Sequence, residues 1–124
     1  MTRFKSQGFS NTFKNARKGL RLALKAEDSI KIHIGAALLA IVLAVLLKFS
    51  IVKICIVLLT IAMVIITEVL NSAIEFALDA MYKNKYSKMV GMAKDISAGA
   101  VLAATVTAIA IGILLYGSAI LDLF

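Results

Sequence analysis

Residues 32–49 read IHIGAALLAIVLAVLLKF, a run whose only polar side chains are His33 and Lys48. At about 1.5 Å per residue, a helix over this run reaches about 27 Å, close to the ~30 Å of a bilayer's hydrocarbon core. The rest of the 124-residue chain has the same character. It is 61% hydrophobic and lacks proline and tryptophan, and its mean hydropathy is +0.96. A soluble domain is about half apolar. So short a chain cannot hide the excess in its own interior, because small domains leave much of their surface exposed. Lipid is the remaining solvent.

Working outward from that run, the pattern predicts an all-α membrane protein forming one domain over residues 1–124. A second helix is expected from about residue 52 to at least 78, with a span over about 52–79, and a third span over about 92–117. Residues 48–53 make a short turn, and residues 82–88 (YKNKYSK) a polar loop with two interfacial tyrosines. Three spans with short links give an up-down-up bundle. Before them, Phe9, Phe13, Ala16, Leu20 and Leu24 recur at helical steps among Lys14, Arg17, Lys18, Arg21 and Lys25. This predicts an amphipathic surface helix over about 10–26, lying in the interface with its cationic side toward headgroups. Asp28 or Ser29 is placed to cap the first span. Residues 1–8 read as a polar leader. The first 25 residues lack the apolar core expected of a signal peptide, and the apolar runs lie too far in to be one.

The formal charge is +7. Nucleic acid and anionic lipid both attract such a chain, but here the cations flank apolar runs, which favours the membrane and argues against nucleic acid. Arg3, Lys5, Lys14, Arg17, Lys18, Arg21, Lys25 and Lys31 precede the first span, and Lys83, Lys85, Lys88 and Lys94 lie by the second link. Only Lys48 and Lys53 mark the other side. The positive-inside rule therefore places the N-terminus and the 82–95 region in the cytoplasm and the C-terminus outside the inner membrane. The one cysteine, Cys55, reads as a small buried hydrophobe.

The second span contains Glu68-Val-Leu-Asn71-Ser72-Ala-Ile-Glu75-Phe-Ala-Leu-Asp79. At 100° per residue, Asn71, Ser72, Glu75 and Asp79 fall at about −60°, +40°, −20° and +20° from Glu68, one stripe of a helix. Ionisable groups in a span need a partner, a cavity or a function. Pairing with lysines to hold helices together is the bland alternative, but several acids and a carboxamide exceed what one helix contact needs. Oxygen ligands of this kind suit Mg²⁺, which binds through one or two carboxylates, waters and substrate phosphates. Lys94 and Asp95 open the third helix on the same membrane side. Lys94 could neutralise a phosphate, and Asp95 could hold Lys94, bind metal or hydrogen-bond a nucleotide; alone they would read as an interfacial ion pair. Glu27, taken alone, reads as a solvated linker residue and His33 as an interfacial polar group. No G-x-x-x-x-G-K-[ST] or G-x-G-x-x-G motif occurs.

Glu68-Val-Leu-Asn71-Ser-Ala-Ile-Glu75 with Asp79, then Ala93-Lys94-Asp95-x-x-Ala98-x-Ala100-Val101-Leu102, resembles the bacterial diacylglycerol kinase family, which includes the undecaprenol kinases. Lys18-Gly19-Leu20-Arg21 with Glu27 fits as well. The resemblance implies a homotrimer with active sites between subunits, transferring the γ-phosphoryl of MgATP to a membrane lipid alcohol at the cytoplasmic interface. It implies Glu68 as the base near the lipid hydroxyl and Glu75 and Glu27 as holders of Mg²⁺ with the ATP phosphates. Asn71 would orient this cluster with Asp79 in support, Lys94 and Asp95 would contact the nucleotide, and Arg21 would meet the lipid. His33 fits the undecaprenol kinases of the family better than the enterobacterial enzyme, which resembles an acid there. Two other classes compete: a small proton-coupled transporter with Glu68 as proton carrier, and a non-enzymatic subunit with structural carboxylates.

Overall fold

Ser50 and Ser87 each stand just before a long apolar stretch, and each hydroxyl accepts a hydrogen bond from a free amide of the helix that follows: from Lys53 N–H at 3.3 Å and from Val90 N–H at 3.1 Å. The computed structural model describes residues 8–83 and 87–124. Among them it has four helices, α1 (Phe9–Ala26), α2 (Asp28–Leu46), α3 (Ile51–Tyr82) and α4 (Lys88–Leu121). Residues 1–7 of the expected leader and residues 84–86 of the expected loop, with Arg3, Lys5 and Lys85, lie outside the described residues.

Helices α2, α3 and α4 are each long and apolar enough to cross a membrane. Helix α3 is central. It packs against α4 and α2, and α1 folds back onto α2 and α3. Its buried residues, Val57, Val64, Glu68 and Ser72, recur at steps of seven and four, and those of α4, Val90, Ser97 and Ala104, at steps of seven. This is the seam spacing of helices crossing at a shallow angle. Leu38, Leu39, Leu59 and Leu114 point away from the bundle, as lipid-facing side chains do. Cys55 is exposed, not buried as its type suggested. It lies about 200° around α3 from the buried Val57.

Several boundaries differ from the sequence expectation. Helix α3 runs on to Tyr82 and α4 begins at Lys88, so both ends of the expected 82–88 loop are helical. Both ends of α2 shift as well. The first span begins at Asp28, and Glu27 holds the cap position with no side-chain cap bond. Neither Asp28 nor Ser29 caps it. Asp28 instead places its charge in the first turn, where the helix dipole favours an anion, and meets Lys31 at 3.6 Å on the surface. At its other end α2 stops at Leu46, because Lys48 adopts a left-handed conformation (φ 58°). Lys48 N–H then donates to Val45 O at 3.1 Å and Phe49 N–H to Ala44 O at 3.0 Å, the paired bonds of a Schellman stop. The turn drives Phe49 into a core with Ala44 and Val57. Its ring stacks on Tyr116 at 5.0 Å between centroids, and Lys53 Nζ lies 5.4 Å from its centroid. Tyr116 Oη donates to Ala40 O at 2.6 Å, tying α4 to α2. Such bonds inside membranes contribute about 0.6 kcal/mol on average.

At about 1.5 Å per residue, α3 and α4 are roughly 48 and 51 Å long, well beyond the ~30 Å of hydrocarbon. Counted from the turn between α2 and α3, the surplus falls at the end of α3 and the start of α4. It carries Ser72, Glu75 and Asp79 of the polar stripe, with Glu68 within the span. Helix α1 reaches this end too. Among its residues only Ala23 is buried. Phe9, Phe13 and Leu20 are exposed, and the two phenylalanine rings stack at 6.5 Å.

Candidate active site

Glu27 is both the C-cap of α1 and the N-cap of α2. One extended residue therefore joins the two helices, and its carboxylate stands at their corner. Helix α3 runs past that corner with Ser72, Glu75 and Asp79 at steps of three and four, which puts all three on one face. The result is a cavity of about 300 Å³ lined by Ala26, Glu27, Ser72, Glu75, Phe76 and Asp79. A second, apolar groove of about 850 Å³ lies between α1 and α3, walled by Gly19, Leu20, Ala23, Val69, Ala73 and Phe76 among others. Ala26, Ser72 and Phe76 border both. An acidic chamber thus abuts an apolar trough.

Contacts from α4 fix the acidic side. Lys94 Nζ donates to Asp79 Oδ1 at 2.7 Å. Ser97 Oγ donates to Asn71 Oδ1 at 2.6 Å, and Asn71 Nδ2 reaches Glu75 Oε1 at 3.5 Å. Ser97 therefore orients the Asn71 amide, and the amide steadies Glu75. Lys94 pairs directly with one of the three chamber carboxylates, Asp79. Among the described residues this leaves Glu27 and Glu75 without an ion-pair partner at contact distance, where they could meet a cation. No group of three His, Cys, Asp or Glu among the described residues converges tightly enough to cage a metal alone. The donor set instead fits Mg²⁺, whose shell is commonly completed by phosphate oxygens and water. Glu27 and Glu75 are the carboxylates free of a lysine partner that could hold it.

Glu68 sits one turn deeper and does not line the acidic chamber. It is only 7% exposed. His33 Nε2 of α2 approaches its Oε1 at 3.4 Å, while Oε2 and the neighbouring Ser72 Oγ are buried without a hydrogen-bond partner. Unsatisfied polar atoms of this kind are rare in native structures and need a reason.

The expected site residues thus divide. Glu27, Glu75 and Asp79 share one chamber, Asn71 braces it, and Glu68 lies beneath. Lys94 reaches Asp79, not Asp95. Asp95 and Arg21 are exposed and line neither cavity. Sequence reasoning overlooked Ser97 and the His33–Glu68 approach, both of which join different helices. Replacing Ser97 by alanine removes the brace on Asn71. The expected result is a loss of about 0.5–2 kcal/mol in stability, with a several-fold fall in turnover; thermal unfolding and steady-state rates in the same micelles measure both.

Comparison with known proteins gives this arrangement a kinship. Residues 14–116 match the profile of the family described as prokaryotic diacylglycerol kinase. The chain belongs to that family. It is 35% identical over 105 residues to the diacylglycerol kinase of Escherichia coli K12, covering 82% of this chain and 85% of that one. It is 31% identical over 108 residues to the undecaprenol kinase of Bacillus subtilis 168, covering 87% of each. To a diacylglycerol kinase of Synechocystis it is 32% identical over 101 residues, 82% of this chain but 58% of that longer relative. By kinship the chain is an enzyme of the lipid-kinase class, and its three apolar helices fit a bacterial inner-membrane protein.

Proposed function

We propose that the protein phosphorylates a membrane lipid alcohol, transferring the γ-phosphoryl of ATP with Mg²⁺ at the cytoplasmic face of the inner membrane. One observation carries this reading: an acidic chamber and an apolar trough share Ser72 and Phe76 as a common wall. A water-soluble phosphate donor and an acceptor that cannot leave the bilayer need such a border. Glu27 and Glu75 hold Mg²⁺ against the phosphates, with Asn71 and Asp79 in support. When bound there, Mg²⁺ would supply charge neutralisation for the transferring group, and the protein's part is mostly positioning. The acceptor oxygen bonds to the γ-phosphorus, the bond from that phosphorus to the β,γ-bridging oxygen breaks, and ADP leaves. Glu68 takes the hydroxyl proton. Lys94, drawn from Asp79, and Asp95 contact the nucleotide. Arg21 meets the lipid headgroup from α1, an amphipathic helix lying in the interface.

In this reading the subunits form a homotrimer with shared sites. The basic residues set the N-terminus and the 82–95 region inside and the C-terminus outside. Undecaprenol is the favoured acceptor over diacylglycerol, because His33 stands where an acid is expected in the enterobacterial enzyme.

The test is incubation of purified protein with Mg²⁺, labelled ATP and either lipid in mixed micelles. Label is expected in undecaprenyl phosphate in excess over phosphatidic acid. Label in neither lipid, with ATP-independent proton-coupled flux in liposomes, would replace the kinase by a transporter. Preference for diacylglycerol would reverse the choice of acceptor alone.

A further inference from the structure

We infer that His33 is a positioning residue for Glu68: its Nε2–H holds Oε1, so that Oε2 is the oxygen left to receive the acceptor's proton. This rests on the kinase reading above. A carboxylate presents two equivalent oxygens, and its terminal torsion is broad and roughly two-fold. Glu68 is deep in α3, where its Oε2 meets no donor from the described chain. Because that torsion is broad, without a fixed donor the carboxylate plane would turn and its free oxygen would drift out of the hydrogen-bond reach a base needs. One donor from a different helix removes that freedom. His33 is the side chain so placed. It reaches across from α2 at 3.4 Å, with 29% of its own side chain exposed against 8% for Glu68.

At 3.4 Å the pair is in close approach and not yet hydrogen-bonded. Catalytic hydrogen bonds are commonly long before substrate binds and tighten afterwards. His33 has the room to do so, since it also walls an apolar cavity of about 400 Å³ with Ala36, Ala37, Val64 and Thr105 among others.

His33 is the chain's single histidine, so ¹⁵N-imidazole labelling reports on it alone. In Glu68→Gln the Nε2 resonance is expected to shift from its position in the unaltered protein. An unchanged resonance overturns the inference whatever the protein phosphorylates. For turnover, His33→Leu should lower kcat about tenfold, the loss expected of one orienting hydrogen bond, with KM for MgATP and lipid within about twofold. His33→Gln, which keeps an N–H donor, should recover most of that loss. Glu68→Gln combined with His33→Leu should be no slower than Glu68→Gln alone, because residues acting as a unit are not additive. Additive losses, an unaffected kcat in His33→Leu, or a change confined to KM would each overturn it. A shifted resonance in a protein that phosphorylates neither lipid would remove the kinase reading and the positioning role together, leaving only a structural contact.

Discussion

Glu68→Gln is expected to lower kcat by roughly 10²–10⁴-fold, the range for loss of a general base, with affinity for MgATP kept within about twofold. Glutamine has the same shape and still offers a carbonyl oxygen toward His33, but it cannot take a proton. Glu68 lies outside the chamber that Glu27, Glu75 and Asp79 enclose, so its charge is not needed to hold the metal-bound phosphates. The substitution also removes a buried carboxylate with an unpartnered oxygen, which carries a desolvation cost in the folded state. The variant should therefore unfold at the same temperature as the unaltered protein or higher. Nucleotide binding and single-turnover transfer, measured on the same preparation, separate the two quantities. An equal fall in MgATP affinity would end the assignment of Glu68 as a base.

Glu75→Gln should do the opposite. Its carboxylate is one of two in the chamber free of a lysine partner, and Asn71 Nδ2 already aims at its Oε1. Taking away one anionic ligand from a Mg²⁺ site that commonly uses only one or two should raise the Mg²⁺ needed for half-maximal rate about tenfold or more, or abolish turnover. Excess Mg²⁺ should recover part of the activity if any remains. A titration showing the same Mg²⁺ dependence as the unaltered protein would place the metal elsewhere. Together the two substitutions test whether the stripe on α3 is divided by depth, with metal at the interface and proton transfer about two turns below.

That stripe was legible from the sequence because a single helix has a fixed period, so residues 68, 71, 72, 75 and 79 must share a face. The spans were legible because hydropathy needs no register. Their ends were not, since they depend on caps and on a left-handed Lys48, a residue type that gives little warning of that conformation. Lys94 and Asp95 invited pairing by adjacency, yet neighbours in sequence do not face each other on a helix. Lys94 turned to α3 and Asp95 to the surface. The same limit hid Ser97 and His33, whose partners lie across a helix boundary. A hairpin argument would have come near the second: a turn centred on residues 47–50 sets residue 33 opposite about residue 64, one helical turn from Glu68. No such count recovers the chamber, which needs the corner between α1 and α2 as well.

That corner has a mechanical consequence. A helix hung from a single extended residue is a lever, and Glu27 is its fulcrum. The far end of α1, at Phe9, lies 18 residues from Glu27, roughly 27 Å at about 1.5 Å per residue. A tilt of about 10° would sweep that end through roughly 5 Å on this arm while the carboxylate at the pivot hardly moves. Under the proposed function, such a tilt would open room for a lipid beneath the long arm while the carboxylate proposed to hold the metal stays in place.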